Sequence, residues 1–121
     1  MTRAQALGRW AEQTAARHLE RRGFTLVEAN VHARGGEVDL VAWDGDVLCF
    51  VEVRHRHDDR HGTPAATVDA RKQRRLASAA LHYIAAMRPP LPPCRFDVVE
   101  VSGAPRHARV TLHRGAFEAP S

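Results

Sequence analysis

The chain has 121 residues, which suits one domain with a single hydrophobic core and leaves little room for a second. Its hydrophobic fraction of 44% and charged fraction of 26% are ordinary for a soluble globular protein, and the absence of an apolar stretch of roughly 18 residues excludes a membrane span. The formal net charge of +4 favours an anionic partner, either nucleic acid or an acidic membrane surface.

Cysteine usage and the first residues indicate the compartment. The two cysteines, Cys49 and Cys94, are far apart in the sequence, which excludes a disulfide framework and a cysteine zinc site. A reducing environment is the simple interpretation. Residues 1–5 lack the apolar segment of a secretory signal. We therefore expect a cytoplasmic protein that does not act at a membrane.

Hydrophobic periodicity and turn signals predict two helices and five strands. The first helix, over 3–22, begins after a capping Thr2 and ends at Gly23. The later elements are, in order, strands over 24–30, 37–43 and 47–54, a polar loop over 57–66, a helix over 67–87, and strands over 95–101 and 108–114. This α-β-β-β-α-β-β order predicts one α/β domain spanning 1–121, with a central mixed β-sheet of about five strands flanked by two helices.

Both predicted helices carry an apolar stripe that would face the sheet. In the first helix the stripe consists of Leu7, Ala11, Ala15 and Leu19. In the second it consists of Leu76, Ala79, Ala80, Tyr83, Ile84 and Met87. The prolines at 89, 90, 92 and 93 forbid any continuation of the second helix.

The second and third strands form a hairpin that brings acidic side chains together. Because side chains alternate between the two faces of a strand, Glu37 and Asp39 are expected on one face of the second strand. Val38, Leu40 and Ala42 are expected on the other. On the third strand, Glu52 and Arg54 share a face.

The turn of this hairpin, within 44–46, decides which residues lie opposite each other. A two-residue turn at 45–46 puts Asp39 opposite Glu52, whereas a two-residue turn at 44–45 puts Glu37 opposite Glu52. Either register keeps Glu37, Asp39, Glu52 and Arg54 on one face. A three-residue turn would separate them, because a slip of one residue sends a side chain to the other face.

These carboxylates interrupt two otherwise apolar strands, and that arrangement is costly. Two carboxylates ~5 Å apart at an effective dielectric constant near 20 repel by about 3 kcal/mol. A cation such as Mg²⁺, which binds one or two carboxylates plus waters and phosphates, would relieve that repulsion and could activate water. Arg54 would then contact a phosphate. The alternative is structural: Glu37 and Glu52 form ion pairs with Arg54 and Arg34 at the sheet edge.

The hairpin segments GEVDLVA (36–42) and FVEVRHR (50–56) resemble the YraN family of bacterial proteins. That family is classed as endonuclease-like within the PD-(D/E)xK nuclease superfamily. The resemblance extends over nearly the whole chain, at Gly8, Glu12, Ala15, Asn30, Arg34, Lys72 and 95–99. It implies a restriction-endonuclease-like fold and a metal-dependent DNA endonuclease that hydrolyses phosphodiester bonds, including those of branched or damaged DNA.

The resemblance also implies roles for individual residues. Asp39 and Glu52 match the two metal-binding acids, with the Val53 carbonyl as a third ligand for Mg²⁺ or Mn²⁺. Glu12 matches an acidic residue that superfamily members often place on the first helix. Arg54 matches the position of the superfamily's catalytic lysine. Resolvase-like relatives often pair to cut two strands, so a homodimer is a possible assembly.

Two positions depart from the family's pattern. Arg54 replaces the superfamily's lysine, and an arginine keeps its proton and orients a water less closely. Ala11 stands where the family often has a second glycine. The first departure favours an alternative function, a non-catalytic nucleic-acid-binding module that retains the nuclease fold. From the sequence, the enzymatic status of the protein stays open.

A basic run at 71–75 opens the second helix, and a second basic segment at 54–60 precedes it. Together they predict a phosphate-binding track, although a short basic run also suits a solvated helix face. The candidate nucleic-acid-binding residues are Arg34, Arg56, Arg71, Lys72, Gln73 and Arg75. Lys72 or Gln73 would approach the acidic site. Zinc at His55, His57 and His61 is disfavoured, since no cysteine accompanies them.

Overall fold

The computed structural model describes residues 1–56 and 68–118, in which the chain forms two helices and five strands. In chain order these are α1 (Arg3–Arg21), β1 (Thr25–Ala33), β2 (Gly36–Asp44), β3 (Val47–Arg56), α2 (Ala70–Ala85), β4 (Cys94–Ser102) and β5 (Arg109–Phe117). The predicted α/β fold and element order are confirmed. The polar loop predicted over 57–66 lies outside the described residues.

The five strands form one mixed sheet in the order β1-β2-β3-β4-β5. Only the β3–β4 pair is parallel, and the other neighbouring strands are antiparallel. A parallel pair needs a crossover connection, and α2 lies within it. No helix in the described residues is both long and apolar enough to cross a membrane.

Each face of the sheet carries a hydrophobic core beneath one helix. The α1 core includes Ala11, Ala15 and Leu19 from the helix, with Leu7 only half-buried. The α2 core includes all the apolar residues predicted for that helix: Leu76, Ala79, Ala80, Tyr83, Ile84 and Met87. The two predicted apolar stripes therefore do face the sheet, from opposite sides.

Side-chain caps fix where the helices begin. Thr2 Oγ1 accepts from Gln5 N–H at 3.1 Å, and Thr2 N–H donates to Gln5 Oε1 at 2.8 Å, which is a capping box. Asp69 Oδ1 accepts from Lys72 N–H at 2.8 Å, so α2 begins at Ala70 rather than at 67 as predicted. This cap places Lys72 in the first turn of α2.

Two strands continue further than predicted. β1 ends at Ala33 rather than at residue 30, and β5 ends at Phe117 rather than at residue 114. In both cases pairing with the neighbouring strand continues past the predicted end, from Val31 to Ala33 in β1 and at Phe117, opposite Phe96, in β5. In β5 the extension follows a register shift between Phe96 and Val98 and Gly115 with φ 61°, so regular side-chain alternation does not continue to Phe117.

The β2–β3 hairpin closes with a two-residue turn at Gly45 and Asp46. Asp44 pairs with Val47, and the register continues to Leu40 opposite Val51. Gly45 has φ 59°, in the region that glycine adopts without steric cost. The observed register is therefore the one that brings Asp39 level with Glu52.

The prediction that Val38 shares a face with Leu40 and Ala42 was wrong. Val38 packs in the α2 core, whereas Leu40 and Ala42 pack in the α1 core. The face to which the β2 side chains point changes at Asp39. In the β1–β2 register, Asp39 lies opposite Asn30, which has φ 54°. Asn30, in the left-handed region, interrupts the regular β geometry at this point. Because side chains alternate between faces and Val38 lies on the α2 side, Glu37 lies on the α1 side of the sheet.

Candidate functional site

Asp39 lies where β2 and β3 cease to pair through their main chains. The antiparallel pairing ends at Leu40 and Val51, and the Val53 N–H donates instead to Asp39 Oδ2 at 2.8 Å. The Asp39 side chain thus occupies the place of a main-chain acceptor. Its carboxylate is held between the two strands, at the point where the sheet opens.

Glu52 places a second carboxyl group against that of Asp39. Its side chain is only 4% exposed, and it hydrogen-bonds to Asp39. Burial, and then the charge of Asp39, raise the pKa of Glu52 to about 7. Burial also raises the pKa of Asp39, although the Val53 N–H and Lys72 oppose that rise. Both shifts favour the protonated form of a carboxyl group, and the shift of Glu52 is the larger.

Two cations from different elements face the same oxygen of this pair. Lys72 Nζ lies 3.1 Å from Glu52 Oε1, and Arg54 Nη1 lies 3.9 Å from it. Lys72 comes from the first turn of α2, so the Asp69 cap positions it over the acids. The ammonium group of Lys72 is thus closer to the carboxyl pair than the guanidinium of Arg54.

Glu12 reaches the acids from α1. Burial, Asp39 and Glu37 raise the pKa of Glu12, in that order of importance. Its Oε1 atom is buried and has no hydrogen-bond partner among the described residues. Asn30 hydrogen-bonds to the Glu12 side chain and so lowers its pKa. A buried oxygen without a donor is costly, and a cation is one group that would satisfy it.

Asn30 has a structural role that the sequence analysis did not assign. It forms the left-handed distortion opposite Asp39 and also contacts Glu12. Asparagine is one of the few residues other than glycine that adopts positive φ readily. An asparagine between apolar strand residues was the available signal, but nothing in the sequence paired it with Glu12.

The ion pair that Glu37 forms differs from the pairs with Arg34 or Arg54 expected in the structural alternative. Glu37 Oε2 pairs with His32 Nδ1 at 3.3 Å, and not with Arg34 or Arg54. Both side chains of this pair are largely exposed. Glu37 therefore lies at the rim of the acidic cluster, where its charge raises the pKa values of Glu12 and Asp39.

The donor set suits a hard divalent cation better than zinc. No group of three or more His, Cys, Asp or Glu side chains within 1–56 and 68–118 is arranged to hold a metal ion. Asp39 and Glu52 supply two carboxylates. Val53, the third predicted ligand, lies next to this pair, because its N–H donates to Asp39. Mg²⁺ needs few protein ligands, because waters and phosphates complete its shell.

His55 is the one histidine considered for zinc that lies within the described residues, and its contacts are away from the acidic cluster. His55 Nε2 lies 3.2 Å from the Gly103 carbonyl, and its ring meets Trp10 edge-on. His57 and His61 lie outside the described residues.

The β1–β2 turn brings Arg34 to the basic half of α2. Ser78 Oγ donates to the Arg34 carbonyl at 3.3 Å. A Cβ at Gly36 would overlap the Arg75 carbonyl, so only glycine allows this close packing. Arg34 therefore lies beside the helix that carries three further exposed arginines, Arg71, Arg74 and Arg75.

Two other candidate nucleic-acid contacts are engaged elsewhere. Arg56 is largely buried and pairs with Glu100, with Arg56 Nη1 3.5 Å from Glu100 Oε2. The Gln73 side chain donates to the Val68 carbonyl at 2.8 Å, which ties it to the segment before α2. Neither side chain is presented with the exposed arginines of α2. The 57–60 part of the second basic segment lies outside the described residues.

Comparison with known proteins decides the family. The model of the uncharacterised protein family UPF0102 matches residues 11–101, which is most of the chain. The chain belongs to UPF0102. The predicted resemblance to the YraN family, which is the same family, is thereby confirmed.

UPF0102 relatives match along nearly their full length. The chain is 53% identical to a UPF0102 protein of Chromohalobacter salexigens over 109 residues, covering 89% of this chain and 87% of the relative. It is 47% identical to a UPF0102 protein of Symbiobacterium thermophilum over 117 residues, covering 96% and 99%. The region matched by the UPF0102 model includes Glu12, Asp39, Glu52, Arg54 and Lys72.

Proposed function

We propose that this UPF0102 protein is a metal-dependent DNA endonuclease that hydrolyses phosphodiester bonds. The observation that carries the proposal is the buried carboxyl pair of Asp39 and Glu52, held together where two strands separate. Burial of two adjacent carboxyl groups costs stability, and the raised pKa of Glu52 expresses that cost. Strongly shifted carboxyl groups of this kind concentrate at functional sites.

Asp39, Glu52 and the Val53 carbonyl would hold Mg²⁺ or Mn²⁺, and Glu12 would complete or orient the shell. A divalent ion bound there supplies an acidified water and neutralises charge on the phosphate. The chain's own contribution is to fix the two carboxyl groups through the Val53 N–H and the buried floor of the sheet. The side chain of Asn30 steadies Glu12 from the β1 side.

Lys72 and Arg54 would together take the roles of the single catalytic lysine of the superfamily. The Lys72 ammonium, a compact point charge 3.1 Å from Glu52 Oε1, would orient the attacking water by hydrogen bonding. The guanidinium of Arg54 would grip a phosphate oxygen through its fixed fork of donors. In the hydrolysis, the water oxygen bonds to phosphorus, one ester P–O bond breaks, and the departing oxygen takes up a proton.

The exposed arginines of α2 and the β1–β2 turn would hold the DNA backbone. Arg34, Arg71 and Arg75 lie on elements that pack together through Gly36 and Ser78. Their charges would release counterions from DNA, so affinity should fall steeply between about 50 and 200 mM salt. Flat salt dependence would count against a nucleic-acid role.

A second function, a non-catalytic nucleic-acid-binding module, is favoured by one observation. Lys72 and Arg54 already face Glu52 Oε1, so the carboxyl pair has cationic partners without any metal. In this alternative, the same residues are a structural ion cluster beneath a DNA-binding surface.

Cleavage assays separate the two functions. The protein is incubated with branched, duplex and single-stranded DNA in Mg²⁺, in Mn²⁺ and in chelator. The expected result is metal-dependent cleavage that is lost in Asp39→Asn and retained in Asp46→Asn. Asp46 is a matched control because it is exposed in the turn of the same hairpin.

DNA binding by Asp39→Asn should persist or tighten, because a charge that repels phosphates is gone. If wild type and Asp39→Asn bind DNA equally and neither cuts with any divalent ion, the binding-module alternative is correct.

A further inference from the structure

A polar cleft of about 640 Å³ runs along α1 beside the acidic cluster. Its lining consists of Gln5, Gly8, Arg9, Glu12, Gln13 and Asn30. Glu12 and Asn30 belong both to the cleft and to the acidic cluster, since they hydrogen-bond to each other and Asp39 raises the pKa of Glu12. The cleft is therefore continuous with the proposed catalytic site.

Gly8 is the unexplained residue of this cleft. It lies inside α1, where glycine destabilises a helix relative to alanine. Its backbone is helical, and a Cβ built on it meets no atom within 4 Å. Gly36 is different, because there a Cβ would overlap the Arg75 carbonyl. Neither conformation nor packing within the described chain requires a glycine at position 8.

We propose that the cleft is a subsite for the sugar–phosphate backbone of the nucleic acid, adjacent to the phosphate that is cut. The missing side chain of Gly8 lets the strand lie directly on the helix. The inference rests on the proposed nucleic-acid function and extends it by assigning the path of the bound strand.

The cleft offers hydrogen-bond donors suited to phosphate. Arg9 carries a guanidinium with five N–H donors in a fixed fork. Gln5 Oε1 already accepts from the Thr2 N–H, which leaves the NH₂ group of Gln5 to donate. A larger cleft on the other face, between α2 and β4–β5, is lined mainly by apolar residues such as Phe50, Leu81 and Phe96. Polar lining and N–H donors fit a phosphate backbone in the α1 cleft.

The spacing along α1 also suits a strand that crosses the site. Gly8 precedes Glu12 by one helical turn, or about 6 Å along the axis. A backbone that passes Glu12 therefore reaches Gly8 within the next nucleotide or two.

Binding of a fluorescent DNA oligonucleotide in chelator tests the subsite without cleavage. Gly8→Leu should weaken binding by about tenfold or more, because the added side chain fills the cleft. Ala6→Leu is the matched control: Ala6 is exposed, and it lies about 200° around the helix from Gly8. Its affinity should stay within about twofold of wild type.

Two further variants keep the test independent of folding defects. Gly8→Ala should raise Tm by about 3 °C while weakening binding, so that stability and affinity move in opposite directions. Arg9→Gln should reduce the slope of log K against log salt by about 0.7 to 0.9, the value of one phosphate contact.

The outcomes distinguish the subsite from the proposed function. Wild-type affinity in a folded Gly8→Leu, or an unchanged salt slope in Arg9→Gln, overturns the subsite and leaves the nucleic-acid function standing. If the wild-type protein binds no DNA even at low salt, both fail together. Loss of affinity in Ala6→Leu equal to that in Gly8→Leu would also overturn the subsite.

Discussion

Asp97 and Glu52 are both buried acids on the adjacent strands β4 and β3, but their partners differ. Asp97, which is fully buried, accepts from Arg95 Nε at 2.7 Å, from Arg95 Nη2 at 2.8 Å and from the Gly115 N–H at 2.9 Å. Glu52 instead faces another carboxyl group, and its closest cation is the half-exposed Lys72. One acid is saturated by donors, whereas the other shares its surroundings with a like charge.

The ion-pair network around Asp97 extends to Asp44, beside the turn of the β2–β3 hairpin. Arg95 Nη2 also donates to Asp44 Oδ2 at 2.8 Å, and Arg114 Nε donates to the same oxygen at 3.2 Å. These bonds, chiefly the one from Arg95, lower the pKa of Asp44. Every charge in this cluster has an opposite partner, which is the arrangement expected of a structural ion network.

Donors, rather than burial, separate the acid proposed to be functional from the structural one. Burial alone does not distinguish Glu52 from Asp97. The distinction lies in the donors: a bidentate arginine and a main-chain N–H satisfy Asp97, while Asp39 and Glu52 compete for a proton and for Lys72. The acids that lack sufficient donors are those with capacity left for a ligand.

The largest expected effect is the loss of stability when the charge of Asp97 is removed. Asp97→Asn removes the charge that pairs with Arg95 and should destabilise the protein by about 3 kcal/mol or more, because a buried ion pair loses one partner. Chemical denaturation in chelator measures this free energy of unfolding. Glu52→Gln, the matched change on β3, should not destabilise the metal-free protein. Equal losses of unfolding free energy in the two variants would contradict the distinction between Asp97 and Glu52.

The next effect is the pH dependence that Glu52 imposes. Its pKa is raised from 4.5 to about 7 in the folded protein, so folding favours its protonated form. The stabilising effect of protonation is complete at low pH, and it is lost as pH rises from about 4.5 to 7, by about 3 kcal/mol at most. Glu52→Gln should flatten this part of the stability profile. A profile unchanged by the substitution would contradict the assignment.

A smaller effect compares the two cations that face Glu52. Lys72→Met should destabilise the metal-free protein by about 1 kcal/mol, because the carboxyl pair loses its closest cation. Arg54→Met should cost less, since its nitrogen lies 3.9 Å from Glu52 Oε1 rather than 3.1 Å. Thermal unfolding in chelator ranks the two variants. A larger loss for Arg54→Met would reverse the assignment of Lys72 as the main partner.

The sequence predicted the fold well because its signals are local and repetitive. Helical periodicity marked the apolar face of α2, and the turn signal at 44–46 allowed two registers with a two-residue turn, beside a three-residue turn that the structure does not adopt. Those same registers brought Asp39 and Glu52 together. Such features depend on patterns extending over many residues, which a sequence displays directly.

The remaining details depend on single dihedral angles or long-range contacts. Val38 lies on the face opposite to the predicted one, beside the stretch of β1 where Asn30 has a positive φ, and one such angle leaves no periodic signal. The Lys72–Glu52 and Arg56–Glu100 pairs join residues on separate elements. Alternation along a strand could place Arg56 on a face, but it could not reveal the carboxylate that holds it.

Binding of Mn²⁺ by isothermal titration calorimetry, in buffers of different ionisation enthalpy, tests most directly whether the Asp39–Glu52 pair is a cation site. The expected result is saturable binding accompanied by proton release, because the pKa of Glu52 is raised and a protonated carboxyl group must lose its proton before it binds a cation. Binding should be lost in Asp39→Asn and in Glu52→Gln and retained in Asp46→Asn. Failure of the wild-type protein to bind Mn²⁺, or binding that survives in Glu52→Gln, would contradict the account.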